Sequence, residues 1–519
     1  MKRNQAIIRA ALVLAILVVV NVISVRLFGR LDLTKQSVYT LSEASKKLVH
    51  SFDDRVTVRA FFTEDLPSPY NNNRRAVLDI LNEYRAYAGG NLQFEFINPE
   101  GEKGEQQAQQ QGIPPVDVQV VKEDRFEVKR AYLGMVMQYE DRKETLPVIQ
   151  NLSSLEYDIS SALKRLTTLH KKRVGYTTGH DETDLTSMKQ AYQTLSAQYD
   201  LAPVNLGSGE VIPSDLAALL VVAPQKKFND SSKYQIDQYL MRGGKIAFLL
   251  NKVNASLQGQ PGQPVDVALD DQLAQYGARI NTDLIRDAQC ANVSVVQQQM
   301  GFMMQSQIPF PYMPMASDFN KQNVVVKDLQ NVLFYFVSSV DTSLASSKGL
   351  KAQVMARSSK RSGRQSGSFA IDPFHRYSPD ELSESGIPFA AVVEGSFKSY
   401  YADKQPPAGL MLSSSPLNSS PDTRIVVVGD GDFMKDDVAR NPGNLTFFAN
   451  IVDYLADDAG LITIRSKNVV MPPLDQVSNG TKKMLKYGDL LLPPVIVIAY
   501  GLFRWRTRLA RKRMMEASV

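Results

Sequence analysis

His180, Asp181 and Glu182 follow directly on a strand-like run, Lys172 to Thr177, and Asp430 and Asp432 follow on another, Arg424 to Val428. Imidazole and carboxylate groups brought together could hold a divalent cation, bind a sugar, or move protons in a hydrolysis. In open α/β sheets, ligands bind at the carboxyl ends of the strands. The two acidic loops are therefore the candidate ligand cleft. The same residues also admit a quieter reading. His180 and Asp181 would cap the next helix, and Asp430 and Asp432 would shape a turn. Adjacent residues such as His180 and Asp181 do not easily ligate one ion together, which weakens the metal reading.

Other chemistries find less support. No G-x-x-x-x-G-K-[ST] loop occurs, and Gly243-Gly244-Lys245 lacks both the upstream glycine and the hydroxyl needed to cradle phosphates. The chain has one cysteine, Cys290, so an intramolecular disulfide and a multi-cysteine zinc site are excluded. An amidotransferase-like hydrolase needs its Cys at a strand-to-helix turn, and Cys290 stands outside any such turn. No G-x-S-x-G is present. No catalytic residue or metal ligand is assigned, no motif calls for a cofactor, and the chain reads as non-enzymatic. Between Gln297 and Met315 the chain is rich in Gln, Met, Phe and Pro. This stretch is expected to be irregular, with Phe302, Met303, Met304, Phe310, Tyr312 and Met313 as an adaptable docking surface.

The elements that must position these residues are α/β throughout. Thr40-Leu41-Ser42-Glu43 has capping-box spacing and starts a short helix to His50. Val56 to Phe62 reads as a strand. Asn71 to Ala88 reads as a helix with Val77, Ile80, Leu81, Tyr84 and Tyr87 on one face. Leu92 to Ile97, Val116 to Val121, Arg130 to Tyr139 and Lys143 to Val148 read as further strands, and Ser153 to Leu169 as a helix. That order, over residues 29–169, is similar to a thioredoxin-like domain without its redox Cys pair, and so a scaffold. Over residues 170–470, strands alternating with helices predict a mostly parallel, Rossmann-like sheet, with an insertion at about 290–385. Ser347 to Ser368 reads as an exposed loop, and Leu461 to Ile464 as a last strand.

Two apolar segments flank this body. Ile7 to Val25 is long enough for a span, taken as residues 7–28, with a short tail at 1–6. The second span is expected at residues 485–503, after a linker at 471–484. Its apolar stretch is short, Leu490 to Phe503, and contains Pro493-Pro494. A basic tail at 504–519 follows, with six cations from Arg504 to Arg513. Lys2, Arg3 and Arg9 flank the first segment; +5 minus these nine charges leaves the remainder at −4. The basic residues are therefore membrane flanks rather than a nucleic-acid face. Both termini are expected in the cytoplasm and the main body outside it.

Several short blocks, in this order, resemble the GldG family, the auxiliary subunit of ABC-type transport systems named from bacterial gliding motility. They are Tyr39 to Glu43, Tyr176 to Glu182, Pro309 to Pro314, Val428 to Phe433, and Asn444 to Arg465 with its Asp453-Tyr454-Leu455. The resemblance implies a bacterial inner-membrane subunit with a periplasmic body, partnered by a separate multi-span permease and a cytoplasmic ATPase. It implies a GIFT-type, amidotransferase-like fold for the second domain. Two copies per complex are expected from the symmetry of such transporters. The alternative is a membrane-anchored hydrolase or metal- or sugar-binding protein using the His180/Asp430 cleft.

Overall fold

The computed structural model describes residues 40–66, 70–122, 125–150, 152, 154–184, 188–257, 260–299, 302–407, 415–436, 438, 441–457, 459–466 and 479–516. The first expected span, the first six residues and most of the expected linker lie outside these. The chain divides into two compact units, Met1–Val469 and Val470–Val519.

The first unit opens with α1 (Glu43–His50), β1 (Val56–Phe62), α2 (Asn71–Tyr87), β2 (Leu92–Ile97) and α3 (Gly101–Gln110). It continues with β3 (Val116–Lys122), β4 (Arg125–Ala131), β5 (Leu133–Tyr139), β6 (Arg142–Leu146) and α4 (Leu155–Thr167). The cap of α1 is Ser42, whose Oγ accepts from Ser45 N. The buried Glu156 carboxylate, carried by α4, accepts from Ser42 N (2.6 Å) and Ser45 Oγ (2.7 Å). A carboxylate at a helix N-terminus satisfies free donors and complements the helix dipole. Strands β2-β1-β5-β6 form one sheet, with β1 parallel to β2 and antiparallel to β5. Helix α2 buries Val77, Leu81 and Tyr84, spaced four and three apart on one face. The single strand expected from Arg130 to Tyr139 is two strands. Ala131 ends a separate β3–β4 hairpin and Leu133 opens β5. Between them Tyr132 turns inward; its N–H donates to Thr63 Oγ1 (2.8 Å) and its ring joins Phe61, Ile113 and Val136.

The unit continues with β7 (Arg173–Thr178), α5 (Lys189–Ser196), β8 (Asp200–Asn205), β9 (Leu216–Val222), α6 (Asp230–Met241) and β10 (Ile246–Leu249). Then come α7 (Asp270–Gln275), β11 (Asp283–Asp287), β12 (Cys290–Gln299), β13 (Phe302–Ala316), β14 (Lys351–Arg357) and β15 (Ser362–Ser366). Strands β16 (Pro388–Lys398) and β17 (Ser419–Val428) and helices α8 (Pro442–Leu455) and α9 (Ala459–Ser466) complete it. The main sheet has eight strands, in the order Asp318–Phe319, β14, β16, β17, β10, β9, β7, β8. From β17 to β8 neighbours are parallel; from β17 outward through β16 and β14 they are antiparallel. Apolar residues cover both faces. Phe447, Ile451 and Leu455 of α8 lie in one core, and Ile236 and Leu240 of α6 in the other. Strands buried on both faces read as continuous apolar runs, as Leu216–Val222 does.

Three expectations are corrected here. The stretch from Gln297 to Met315 is not irregular: it belongs to the long β12–β13 hairpin. The prolines are accommodated where the register shifts between Cys290 and Asn292, opposite Pro314 and Pro309. The segment Ser347 to Ser368 holds two strands, β14 and β15, and Met355 and Ala356 of β14 are buried. Leu461 to Ile464 is not a strand but part of α9; a helix carries Ile462 and Arg465, three apart, to the same buried side. The second unit is α10, Asn479–Glu516, which begins inside the expected linker and continues through Pro493-Pro494. No described helix is long and apolar enough to cross a membrane.

Arg465 ties the halves of the first unit together. It is 7% exposed. Its guanidinium donates to Asn450 Oδ1 (2.7 Å) and Tyr157 Oη (2.9 Å) and stands 2.9 Å from the Asp453 carboxylate. Tyr199 Oη donates to the other Asp453 oxygen at 2.7 Å, and Asn450 Nδ2 donates to Val325 O. Burial by itself would lower the guanidinium's pKa, but Asp453 and Tyr157 outweigh it and raise it. Arg465→Met leaves Asp453 buried without its cation and is expected to cost about 3–5 kcal/mol in urea unfolding of the full-length chain. Arg465→Met with Asp453→Asn should recover part of that loss. A single-variant loss under about 1 kcal/mol would contradict a tightly paired Arg465.

Candidate functional site

The five parallel strands run β8-β7-β9-β10-β17, so the chain order reverses between β7 and β9. That point, at the carboxyl ends, is where open α/β sheets take ligands. His180 emerges there from β7. The turn before it is tight: a Cβ on Gly179, at φ +103°, would lie 2.5 Å from Asn205 Oδ1 and 2.6 Å from Gly207 N. Only glycine fits.

The reversal point is filled by the chain itself. The His180 ring, 3% exposed, stacks on Phe228 at 3.9 Å between centroids and 12° between planes. Its carbonyl accepts from Gln225 N (3.0 Å) and Lys226 N (2.9 Å), which stitches the β7 loop to the β9 loop. Its backbone N–H donates to Glu182 Oε2 at 2.6 Å, while His180 Nδ1 stands 3.7 Å from Glu182 Oε1, beyond hydrogen-bond reach. Burial pushes the Glu182 carboxyl up, but the His180 side chain and backbone N–H beside it win, and its pKa lies below the ordinary value. Asp181 turns outward in the left-handed region (φ +53°) and pairs with Lys226 at 2.9 Å. Neither His180 nor Asp181 caps the next helix. Asp436 does that, accepting from Lys189 N and Gln190 N.

Asp430 emerges from β17 and is fully buried. Its two oxygens accept from Tyr335 N and Asp432 N, both at 2.7 Å. Burial, with the Asp432 charge beside it, pushes the Asp430 carboxyl up to about 8 against those two donors. Asp432 pairs with Lys435 at 2.9 Å. Gly431 is wedged between strand ends: a Cβ there would lie 2.6 Å from Leu249 O and 2.7 Å from Ala223 Cβ. Asp430 and Asp432 thus shape a turn. Among the described residues no hydrogen bond or ion pair joins His180 to Asp430, and no three His, Cys, Asp or Glu gather to hold a metal. His180 and Asp430 thus sit in two loops, each held by its own backbone hydrogen bonds and, for His180, by the Phe228 stack.

The expected docking surface is corrected as well. Phe310 and Tyr312 are buried against Phe336, and Met313 is half-buried beside them. Met303 is 75% exposed; the side chains of Phe302 and Met304 lie outside the described residues. Cys290 is half-buried, and burial pushes its thiol up to about 11, so it stays protonated at neutral pH.

Residues 171–457, more than half of the chain, match the family described as ABC-type uncharacterized transport system. The chain belongs to that family. Membership in the ABC-type transport family gives it an auxiliary role, with a permease and an ATPase as the partners such systems have in general. Residues 35–138 match a domain of unknown function. An uncharacterized protein of Borreliella burgdorferi is 21% identical over 499 residues, spanning 93% of this chain and 94% of the relative. Among solved structures, the mmIFT52 N-terminal domain overlaps with a TM-score of 0.33 at 14% identity, over 55% of this chain and 97% of that one. An overlap that slight transfers neither fold nor function.

Arg465 and Asp453 stood out only as parts of one resembling block; their pairing was not read, and a cation directly after Ile462-Thr463-Ile464 was the available signal. The Glu182 carboxylate gives a pH test. Its folded pKa is depressed, so its stabilisation is present above the unfolded carboxyl range, near 4.3, and is lost as pH falls through the folded value. Glu182→Gln should cost about 1–2 kcal/mol in urea unfolding at pH 7. The deficit should shrink below about pH 4. A deficit independent of pH would contradict the assignment.

Proposed function

We propose that this chain is a non-catalytic, GldG-like auxiliary subunit of an ABC-type transport complex, anchored in the bacterial inner membrane near both ends. Its main body is periplasmic and docks on a separate multi-span permease, whose ATPase is cytoplasmic. The observation that carries this reading is the contact between α1 and α9. A Cβ on Gly460 of α9 would stand 3.6 Å from Ala44 Cβ of α1, and both helices pack on α4. Helix α1 is the first described element after the N-terminal apolar segment, and α9 ends the first unit. The chain therefore leaves the body toward both ends from one spot, as a body tethered twice to one surface requires.

Further features support the parts of this reading. The β2-β1-β5-β6 order, with β1 and β2 parallel, supports a thioredoxin-like scaffold, and the five parallel strands support a Rossmann-like, amidotransferase-like second domain. In α10, Leu490–Phe503 is bordered by Trp505 and by the cations from Arg504 onward, the pattern of a cytoplasmic membrane flank. Two copies per complex suit a two-fold transporter. The closed His180 and Asp430 loops weigh against a hydrolase or metal site there. Affinity purification of the full-length protein in mild detergent, followed by mass spectrometry, is expected to recover a permease and an ATPase in stoichiometric amounts. Recovery of this chain alone across several detergents would overturn the proposal.

A further inference from the structure

On the antiparallel side of the main sheet, beside the carboxyl end of β17, where Ser338 N donates to Gly429 O and Gly429 N to Phe389 O, three ladders meet. They are the Arg279–Ile280/Val340–Asp341 pair, the β11–β15 ladder, and the β14–β16 ladder where Arg357 faces Pro388. Between them lies a cavity of about 710 Å³. That is within the size of small-molecule sites, roughly 300–1,000 Å³.

The wall is pre-organised by its own hydrogen bonds. Asp283, 4% exposed, accepts from Ser339 N (2.8 Å) and Ser339 Oγ (2.6 Å). Asn281 Nδ2 donates to the same Ser339 Oγ at 2.9 Å. Arg364 is held between Glu384 and Asp283, and Arg357 donates one N–H to Gly386 O at 3.2 Å. Asp341 uses one oxygen to accept Ser343 N (2.9 Å) and has a second. The cavity wall therefore offers a carboxylate, guanidinium N–H groups, the Asn281 amide and the hydroxyls of Thr282 and Thr342.

The chemistry of that wall selects a ligand class. Arg364 is taken by Glu384 and Asp283, which leaves Asp341 and Arg357 as one charge of each sign toward the cavity, so no net-charged ligand is favoured. Among the described residues no aromatic ring lines the cavity, so a nucleobase or other flat ring has no stacking platform there. Closely spaced donors and acceptors of both kinds match a ligand that is neutral and carries many hydroxyls. We propose that this cavity binds a short neutral saccharide, with Asp341 and Arg357 as the groups that grip its hydroxyls. The site stands apart from the transporter reading: it concerns a ligand of the body, whichever complex the body joins.

The test applies the full-length chain in detergent to an array of neutral and anionic oligosaccharides and dipeptides, with hits followed by titration calorimetry. The wild-type chain is expected to bind at least one neutral oligosaccharide. Arg357→Ala and Asp341→Asn should each weaken that binding about tenfold or more. Thermal unfolding is read alongside; if either variant unfolds early, Thr342→Val carries the test, with a smaller loss expected. Binding to no neutral saccharide, a preference for anionic sugars or dipeptides, or equal binding by folded variants would overturn the assignment. A wild-type chain that binds no neutral saccharide while the permease still co-purifies would sink this inference alone.

Discussion

A guanidinium does not give up its charge inside a protein, so burying Arg465 obliges its surroundings to supply a carboxylate and acceptors in fixed positions. Those groups come from elements far apart in the chain. Asp453 and Asn450 lie on α8, Tyr157 on α4, and Tyr199 sits just before β8 to hold the far side of Asp453. Helix α9 can dock in only one way, and α8, α4 and the strand-leading residue Tyr199 are fixed with it. The neighbouring Glu156 on α4 then fixes the N-terminus of α1 through Ser42 and Ser45. One helix, α4, thus carries on consecutive residues the acceptor that seats α1 and the hydroxyl that helps seat α9.

This arrangement explains why the body is one unit although it is built on two sheets. The four-stranded and eight-stranded sheets share no strand; the helices α1, α4, α8 and α9 join them. Helix α4 packs against both α1 and α9. At the carboxyl ends of β7 and β17, His180 and Asp430 are taken up in packing and backbone contacts. His180 lies against Phe228, and both oxygens of Asp430 are taken by backbone donors.

Much of the α/β framework was legible because its signals are local. The helix read from Asn71 to Ala88 is found from Asn71 to Tyr87, and the strands at Val56 and Leu92 begin where their apolar patterns begin. Local propensity failed where tertiary contacts overrode it. Ile462-Thr463-Ile464 favours a strand by side-chain branching, yet burying Arg465 beside Asp453 requires a helix. The Pro-rich run from Pro309 lies in a strand because Asn292 and Cys290 oppose its prolines around a register shift. The positions of His180 and Asp430 at strand ends were readable; that each is sealed by its own neighbours was not. The wall of the cavity near Arg357 left no signal at all, since Asn281, Asp341 and Arg364 come together only through three separate ladders.

The helices leading to the two ends of the chain, α1 and α9, lie side by side. With Cys290→Ser removing the native thiol, Ala44→Cys and Gly460→Cys would place two Cβ atoms 3.6 Å apart. That separation lies within the range a disulfide accepts, about 3.5–4.5 Å. Mild oxidation of the full-length double-cysteine protein in membranes, read by mass spectrometry of the linked peptides, is expected to give an intrachain bridge in near-complete yield. Two free thiols under the same oxidant, with the protein folded, would show that the exits do not share one spot and would contradict the account.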